Sequence, residues 1–332
     1  MARIALHEHS SCLHIGSRIR SMVLASIDIG TNTVLLLIAR IDNDGTIVPL
    51  LDEQRLPRLG EGVDASKHLS REAMHRVLAV LHDYRLLCAH HAAEKVLVVG
   101  TSAARDAHNR QEFAHLIQKE FGWELEVLSG NDEAYWTYRG ALSGIDAIER
   151  ATVVDIGGGS TEITVGTRRT ILHTVSLDVG SVRLTERFLV ADPPTPAQIE
   201  AAITAVEEEL AKAQSFEFRH STLVGVAGTV TSLAILAQGL EAFSFAAVAN
   251  YRLPFERVDH LFKQLCGMSS EEIRQRSRVM EGRSDVITAG TLILREVMAH
   301  YDFKEIIVSE RGVRYGIALR EWERWKHEKE ID

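Results

Sequence analysis

Two short motifs of the same kind, 127 residues apart, constrain this chain most. The first runs from Asp28 as DIGTNT and the second from Asp155 as DIGGGSTE. Each places an aspartate at the end of an apolar strand, followed by small residues and another strand. Glycine lets the backbone turn tightly, and the exposed N–H groups and hydroxyls of such a turn can hold an anion. The aspartate adds a hard oxygen ligand of the kind that Mg²⁺ prefers beside a phosphate.

The alternative for either motif alone is an ordinary β-hairpin, because turns of this composition are common. The surroundings favour phosphate binding, since each motif opens a segment whose hydrophobic pattern predicts the order βββαβαβα. We therefore predict an α/β fold of two duplicated domains, 22–145 and 146–332, with a ligand cleft between them. A helical insertion is expected in the second domain at about 253–300, and a helix at about 131–142 closes the first domain.

Composition excludes several classes of protein. The chain has 332 residues, 45% of them hydrophobic, and a net charge of −9. These values argue against intrinsic disorder and against a general nucleic-acid coat protein. No apolar run approaches the ~18 residues of a membrane span. Three widely spaced cysteines favour a reducing cytosol, so we expect a cytoplasmic protein. From the charge and the short apolar runs we expect no nucleic-acid and no membrane partner. Residues 1–21 lack a signal-peptide core and are interpreted as a disordered tail or an over-extended start.

The two motifs are neither of the common nucleotide loops. The chain contains no Gly-Lys pair, which excludes the Walker loop, and Glu162 stands where a dinucleotide fingerprint needs its third glycine. A strand–turn–strand phosphate loop resembles that of the superfamily of actin, the sugar kinases and the heat-shock ATPases. That resemblance implies RNase H-like, actin-like ATPase domains.

Five motifs resemble those of the exopolyphosphatase/guanosine pentaphosphate phosphatase (Ppx/GppA) family over about residues 22–319. They are IDIGTNTVLLLIAR from Ile27, GTSAARDAHN from Gly100, SGNDEAYWTYRGAL from Ser129, VVDIGGGSTEI from Val153 and SERGVRYG from Ser309. The family hydrolyses a terminal phosphoanhydride bond, on inorganic polyphosphate or on guanosine pentaphosphate. Its members often dimerise, so a homodimer is a further expectation.

The resemblance implies roles for particular residues. Glu133 matches the general base, and Asp155 and Glu162 match an acidic pair that holds Mg²⁺ or supports the attacking water. Arg105 matches an arginine whose fork suits a phosphate, with Arg314 a second candidate. The first phosphate clamp would comprise Asp28, Gly30, Thr31, Asn32 and Thr33, and the second Gly157, Gly158, Gly159, Ser160 and Thr161.

Two positions depart from the family pattern. Asp132 replaces the first of two adjacent glutamates, and Tyr315 replaces a more usual Glu after Arg314. Glu133 alone could also be a helix-capping carboxylate. The arginines from Arg274 to Arg283 could form a mixed-charge helix face or bind a polyanion.

Several functions remain open. We predict an exopolyphosphatase, with guanosine pentaphosphate phosphatase as the alternative, and the motifs cannot separate the two. Polyphosphate is favoured because no aromatic pocket is evident beside the motifs, where Trp136 and Tyr138 are the nearest candidates. Further alternatives are a sugar-kinase-like ATPase, a non-catalytic sensor, and a two-metal phosphohydrolase built on His75, His82 and Asp83.

Overall fold

The structure is a computed structural model that describes residues 21–145, 148–213, 216–218 and 220–331. The tail predicted at residues 1–21 lies, apart from Ser21, outside the described residues. Among the residues that are described, no helix is both long and apolar enough to cross a membrane.

The first half of the chain forms a five-stranded sheet covered by helices. Its elements are β1 (Met22–Ile29), β2 (Val34–Ile41), β3 (Ile47–Arg55), α1 (Val63–Ser66), α2 (Arg71–His90), β4 (Lys95–Gly100), α3 (Ser102–Asp106), α4 (Arg110–Phe121), β5 (Leu125–Val127) and α5 (Gly130–Leu142). The sheet order is β3-β2-β1-β4-β5. The first three strands pair antiparallel, and β4 runs parallel to β1 and β5.

The second half repeats this sheet and extends it. Its elements are β6 (Arg150–Ile156), β7 (Thr161–Thr167), β8 (Ile171–Leu177), α6 (Ser181–Phe188), α7 (Pro196–Leu210), β9 (Thr222–Val226), α8 (Ala227–Gln238), α9 (Phe245–Val248), β10 (Arg252–Pro254), α10 (Phe255–Cys266), α11 (Ser270–Arg274), α12 (Ile287–His300), β11 (Glu305–Val308) and α13 (Val313–Ile331), with 3₁₀ turns at Ala211–Ala213 and Arg278–Met280. The order β8-β7-β6-β9-β11 matches that of the first sheet, and β10 adds an antiparallel edge strand.

The matching sheet orders confirm the predicted duplicated α/β fold. The central strand β1 shows why its sequence is apolar almost throughout: Ile27 and Ile29 pack among α2 and α4, whereas Leu24 packs on α13. A strand covered on both faces needs side chains that can be buried on both. Asp28 breaks this run at the strand's end, where the sheet meets the cleft.

The last helix of each half covers the sheet of the other half, which the sequence analysis did not predict. Helix α5 packs on β6, β7 and β8, and Tyr138 and Leu142 join the core of the second sheet. Helix α13 packs on α5, β1 and β2, with Tyr315 and Ala318 in the core of the first sheet. Helix α5 is the last element of the first half, as predicted, but it packs on the sheet of the second half. The domain bounds themselves stay a prediction.

Candidate active site

Both sequence motifs form the turn of a β-hairpin. The N–H of Gly30 donates to the carbonyl of Thr33 at 2.9 Å, and the N–H of Gly157 donates to that of Ser160 at 3.0 Å. Asp28 and Asp155 stand next to these turns, near the ends of the equivalent strands β1 and β6. The duplication therefore sets two aspartates and two tight turns at corresponding places in the two halves.

A cleft of about 610 Å³ runs between the halves and brings most of the predicted residues together. The predicted residues that line it are Asp28, Gly30, Thr31, Asn32, Thr33, Glu133, Asp155, Gly157 and Gly158. Five others, Arg105, Gly159, Ser160, Thr161 and Glu162, are not among the lining residues. The cleft thus receives both turns and the predicted general base.

Residues behind the cleft support the ones that line it. The hydroxyl of Thr161 donates to the carbonyl of Val179 at 2.6 Å, in a fully buried position. Glu162 is buried and accepts a hydrogen bond from Ser176 at 2.6 Å. Arg105 reaches the hydroxyl of Ser160 at 3.4 Å.

The two turns lie against each other. A Cβ added at Gly158 would lie 2.8 Å from Cβ of Thr31, closer than real Cβ atoms come to other atoms. The hydroxyl of Thr31 is in turn 2.7 Å from that of Ser102. Only glycine at position 158 allows this approach, which joins both turns into one surface.

Glu133 lies in the first turn of α5 and is buried. The Ser129 side chain caps this helix by accepting from the N–H of Asp132 at 3.1 Å. Arg105 donates to Oε2 of Glu133 at 2.7 Å and to the carbonyl of Leu128 at 3.2 Å. Burial raises the pKa of Glu133, and the charge of Arg105 opposes that rise. The arrangement places a buried carboxylate in the cleft and orients it by an arginine.

The departure at Asp132 has a local explanation. Its side chain is exposed and accepts a hydrogen bond from the Ser129 hydroxyl at 2.6 Å. A shorter acid suits this capping position on the outside of the helix. Asp132 does not line the cleft, so the substitution leaves the position of Glu133 unaffected.

Acidic groups crowd the cleft and disfavour one another's ionisation. Burial, with the charges of Glu133 and Asp155, raises the pKa of Asp28 to about 8. Burial, with the charge of Glu133, raises the pKa of Asp155 to about 7. The same causes raise the pKa of Glu162 well above its ordinary value. Such a set is stable in its ionised form only when cations share the site.

The acidic residues fit a divalent cation that brings its own further ligands. Oδ1 of Asp28 is buried without a hydrogen-bond partner. Within the described ranges, no group of three His, Cys, Asp or Glu side chains could hold a metal ion by itself. The two-metal set suggested at His75, His82 and Asp83 is therefore not formed, and His82 pairs with Glu120 at 3.1 Å. Mg²⁺ suits these facts, because it binds through one or two carboxylates and completes its shell with water and substrate phosphates.

Two arginines in the cleft come from distant parts of the chain. Arg314 donates to Oδ2 of Asp52 at 2.9 Å, and the hydroxyl of Tyr315 donates to the same oxygen at 3.0 Å. Tyr315 thus helps to position Asp52, which binds Arg314. This contact accommodates a tyrosine where the family more often has a glutamate. Arg283 is buried, and its NH1 would lie 1.4 Å from a Cβ at Gly228.

Arg283 has no carboxylate partner among the described residues, and its hydrogen bond goes to the Gln54 amide oxygen at 2.9 Å. Burial lowers its pKa to about 10, so it stays charged at neutral pH. The sequence analysis placed it in the basic run that ends at Arg283. Of that run only Arg278 and Arg283 line the cleft, whereas Arg274 pairs with Glu271 on the surface.

Sequence reasoning also missed two aromatic residues. Phe243 and Phe245 line the far part of the cleft, are 47% and 39% exposed, and stand edge to face with ring centres 5.5 Å apart. The cleft that holds the phosphate turns thus also holds two aromatic side chains, which the expectation of no aromatic pocket beside the motifs did not include. Trp136 and Tyr138 do not line the cleft, and the Tyr138 hydroxyl donates to the carbonyl of Thr167. The missed pair lies on a segment without a motif.

Comparisons with known proteins agree with the motifs. The model of the Ppx/GppA phosphatase family matches residues 37–324. Exopolyphosphatase 2 of Mycobacterium tuberculosis is 37% identical over 89% of this chain and 97% of its own length. A guanosine-5'-triphosphate,3'-diphosphate pyrophosphatase of Vibrio vulnificus is 29% identical over 90% of this chain and 59% of its own.

The crystal structure of an exopolyphosphatase-like protein superposes with a TM-score of 0.88 at 33% identity, over 92% of this chain and 99% of that one. Fold, motifs and family match coincide over most of the sequence. The chain therefore belongs to the Ppx/GppA phosphatase family and is a phosphoanhydride hydrolase.

Proposed function

We propose that this protein is an exopolyphosphatase, which releases orthophosphate from the end of inorganic polyphosphate by magnesium-assisted attack of water. One observation carries the proposal. Glu133, a buried carboxylate oriented by Arg105, faces the cleft where two aspartate-bearing phosphate turns meet. That arrangement offers a base for water together with two turns for a phosphate group.

The chemistry follows from this placement. The terminal phosphate lies between the turns, where backbone N–H groups and the hydroxyls of the first turn contact its oxygens. Glu133 orients a water molecule and takes its proton as the water oxygen bonds to the terminal phosphorus. The phosphoanhydride bond breaks, and its bridging oxygen leaves with the shortened chain. Positioning and charge neutralisation supply most of the rate in such reactions.

Asp155 and Glu162 are the proposed metal-holding residues, and the unpartnered Oδ1 of Asp28 makes it a third candidate. Bound Mg²⁺ would neutralise the charge of the phosphate oxygens. Of the three, Asp28 and Asp155 line the cleft directly, whereas Glu162 lies behind it and accepts from Ser176. We assign direct contact with the metal to Asp155 first, because it is the member of the family's acidic pair that lines the cleft.

Arginines in the cleft favour a long polyanion. Arg283 and Arg314 are buried, line the cleft, and can contact phosphates beyond the terminal one. The net charge of −9 opposes attraction at long range, so the attraction must be local and screened over ~8–10 Å. Each neutralised phosphate releases counterions, by analogy with nucleic-acid backbones. Binding of long chains is therefore expected to weaken with salt.

Guanosine pentaphosphate is the second candidate substrate, and Phe243 with Phe245 favours it. A polyphosphate chain has no apolar part to place on aromatic rings. A purine base does, since stacking on an aromatic side chain contributes ~1–3 kcal/mol per base. The nucleotide therefore deserves a direct comparison with polyphosphate.

The two alternatives outside hydrolysis are less well supported. A sugar-kinase-like ATPase needs a hydroxyl acceptor where Glu133 would activate water. A non-catalytic sensor has no need of a buried base held by an arginine. The cytoplasmic location and the homodimer stay predictions.

The test compares kcat/KM for long-chain polyphosphate and guanosine pentaphosphate at about 50 and about 200 mM salt. We expect the higher efficiency on polyphosphate, with a steeper loss at the higher salt. Phe243→Leu serves as a matched variant that should leave polyphosphate hydrolysis unchanged. Higher efficiency on the nucleotide at both salt concentrations, lowered by Phe243→Leu, would instead establish the second candidate.

A further inference from the structure

The second phosphate turn is held from behind by helix α6. The N–H of Ser181 donates to the carbonyl of Gly157 at 2.9 Å, and that of Val182 to the carbonyl of Gly158 at 2.8 Å. The next carbonyl, that of Gly159, accepts from Nε of Arg183 at 2.6 Å. Three successive carbonyls of the turn therefore point toward α6.

This hold fixes the direction of the turn's N–H groups. In a planar trans peptide the C=O of one residue and the N–H of the next point to opposite sides. The N–H groups of Gly158, Gly159 and Ser160 are therefore directed away from α6, and of these residues Gly158 lines the cleft. Without the hydrogen bond from Arg183 to the Gly159 carbonyl, the peptide group between Gly159 and Ser160 could rotate and direct that carbonyl toward a bound phosphate.

Arg183 also connects this turn to the first half of the chain. It is buried, and its two terminal nitrogens donate to Asp64 and Asp106, each at 2.5 Å. Asp106 directly follows Arg105, the arginine that orients Glu133. One guanidinium thus joins the second phosphate turn to the end of helix α3.

We propose that Arg183 is a positioning residue that fixes the 157–160 turn with its N–H groups toward the cleft and ties it to the helix that carries Arg105. This inference rests on the proposed function for its effect on turnover. It assigns Arg183 no contact with substrate. Its three acceptors, Gly159, Asp64 and Asp106, need the planar five-donor group of arginine, which lysine cannot replace.

Arg187 offers a matched control on the same helix. It pairs with Asp64 through both carboxylate oxygens, as Arg183 does through one. It is half-exposed and makes no hydrogen bond to the turn. Removing Arg187 therefore removes an ion pair between the halves and leaves the turn held.

The experiment compares Arg183→Lys, Arg183→Met and Arg187→Met with the wild-type protein. Hydrogen–deuterium exchange is followed at Gly157, Ser181 and Val182, whose N–H groups donate within the turn or to its carbonyls, and kcat and KM are measured on long-chain polyphosphate with Mg²⁺. Arg183→Lys should fold, exchange faster at these three amides, and lose at least about tenfold in kcat with KM changed less than about threefold, since displaced transition-state donors cost rate more than binding. Arg187→Met should stay within about twofold of wild type in both constants and show wild-type exchange at the same amides.

Folded Arg183→Lys with wild-type exchange and kcat within about twofold of wild type would overturn the proposal. Faster exchange without loss of kcat would also overturn it, because the hold would then not serve turnover. Should Arg183→Met fail to fold, the lysine variant decides. A wild-type protein that releases no phosphate from any substrate refutes the proposed function instead, and the exchange experiment still tests whether Arg183 holds the turn.

Discussion

The two phosphate turns share a hairpin but are held from behind in different ways. In the first turn the carbonyls of Thr31 and Asn32 accept from the N–H groups of Gly60 and Arg58, at 2.8 and 3.2 Å. In the second turn the carbonyls of Gly157 and Gly158 accept from the N–H groups of Ser181 and Val182, the first residues of α6. Both supports come from the segment that follows the third strand of the half, so the duplication extends to the supports.

The supports differ in backbone structure. The first is an irregular segment in which Arg58 has a positive φ of 54°. A non-glycine residue in that region costs roughly 1–2 kcal/mol. The second is an eight-residue helix whose Arg183 adds a side-chain hydrogen bond. We infer that the second turn is the more precisely held part of the site.

The aspartates beside the turns differ in the same sense. Asp155 accepts a hydrogen bond from the Thr137 hydroxyl at 3.3 Å, whereas Oδ1 of Asp28 has no partner. Burial and the charge of Glu133 raise both pKa values, that of Asp28 to about 8 and that of Asp155 to about 7, and the hydrogen bond from Thr137 opposes the rise at Asp155. A duplicated position has thus become two different carboxylates, one with a hydrogen-bond partner and one whose buried Oδ1 has none among the described residues.

The largest effect is expected at Glu133, the proposed base for a phosphate held between the two turns. Glu133→Gln keeps the shape of the side chain and removes the base, so kcat should fall by ~10²–10⁴-fold while the fold and substrate binding persist. Asp132→Asn, a change at the exposed neighbour, is the control and should leave kcat near wild type. If Glu133→Gln kept more than about a third of the wild-type kcat, far more than loss of a base allows, Glu133 would not be the base.

A second, smaller effect separates the two aspartates. Asp155→Asn should raise the Mg²⁺ concentration needed for half-maximal rate by at least about tenfold, since disturbed metal sites commonly lose 10–100-fold in affinity. A Mg²⁺ titration of the wild type and of Asp155→Asn and Asp28→Asn measures this. An unchanged titration in Asp155→Asn would move the metal contact to Asp28 or Glu162. Full activity in excess chelator would remove the metal from the account altogether.

A third comparison uses one glycine from each turn. A Cβ at Gly158 meets Thr31 at 2.8 Å, whereas a Cβ at Gly30 comes no closer than 3.3 Å to any atom. Gly158→Ala should therefore push the turns apart and lower kcat/KM by about tenfold, the fold-change that 1.4 kcal/mol corresponds to. Gly30→Ala should lose clearly less. Equal losses in the two variants would contradict the close approach of the turns.

The smallest effect concerns the pH dependence of stability. The pKa of Asp28 is about 8 in the folded chain and 3.8 in its ordinary state, so the folded chain retains a proton that the unfolded chain has lost. The free energy of unfolding contributed by Asp28 therefore falls as pH rises from about 4 to about 8. Without metal, Tm should be lower at pH 8 than at pH 6, and Asp28→Asn should reduce the difference.

Mg²⁺ should restore Tm at pH 8, because it binds the ionised carboxylates of the folded state. Asp44→Asn, a change at an exposed carboxyl, provides a control. The hydrogen bond from Thr46 lowers the pKa of Asp44, so this carboxyl stays ionised between pH 6 and 8. A metal-free Tm that rises between pH 6 and 8, equally in wild type and Asp28→Asn, would refute the assignment.

The parts of the molecule that local sequence determines could be predicted. Alternating and continuous apolar runs predict the strands, and the aspartate and glycines at their ends predict the two turns. The SGNDEA motif locates Glu133 through its resemblance to the Ppx/GppA family, and the capping contact beside it is local, since Ser129 and Asp132 lie three residues apart.

The remaining parts depend on contacts between distant segments. The exchange of α5 and α13 between the sheets leaves no local signal, because the apolar residues of a helix do not specify which sheet they pack on. In the sequence Arg283 is one more charge of a basic run, and only the fold brings Gln54 and Gly228 beside it. The role of Arg183 requires Asp64 and Asp106, which precede it by 119 and 77 residues.

The central claim is that water, positioned by Glu133, attacks the terminal phosphorus held between the two turns. It is tested most directly by hydrolysing long-chain polyphosphate with Mg²⁺ in water enriched in oxygen-18 and analysing the products by mass spectrometry. The account predicts one heavy oxygen in each released orthophosphate, none in the shortened chain, and release in Glu133→Gln slowed by ~10²–10⁴-fold. Heavy oxygen in the shortened chain, or orthophosphate released without the label, would contradict it.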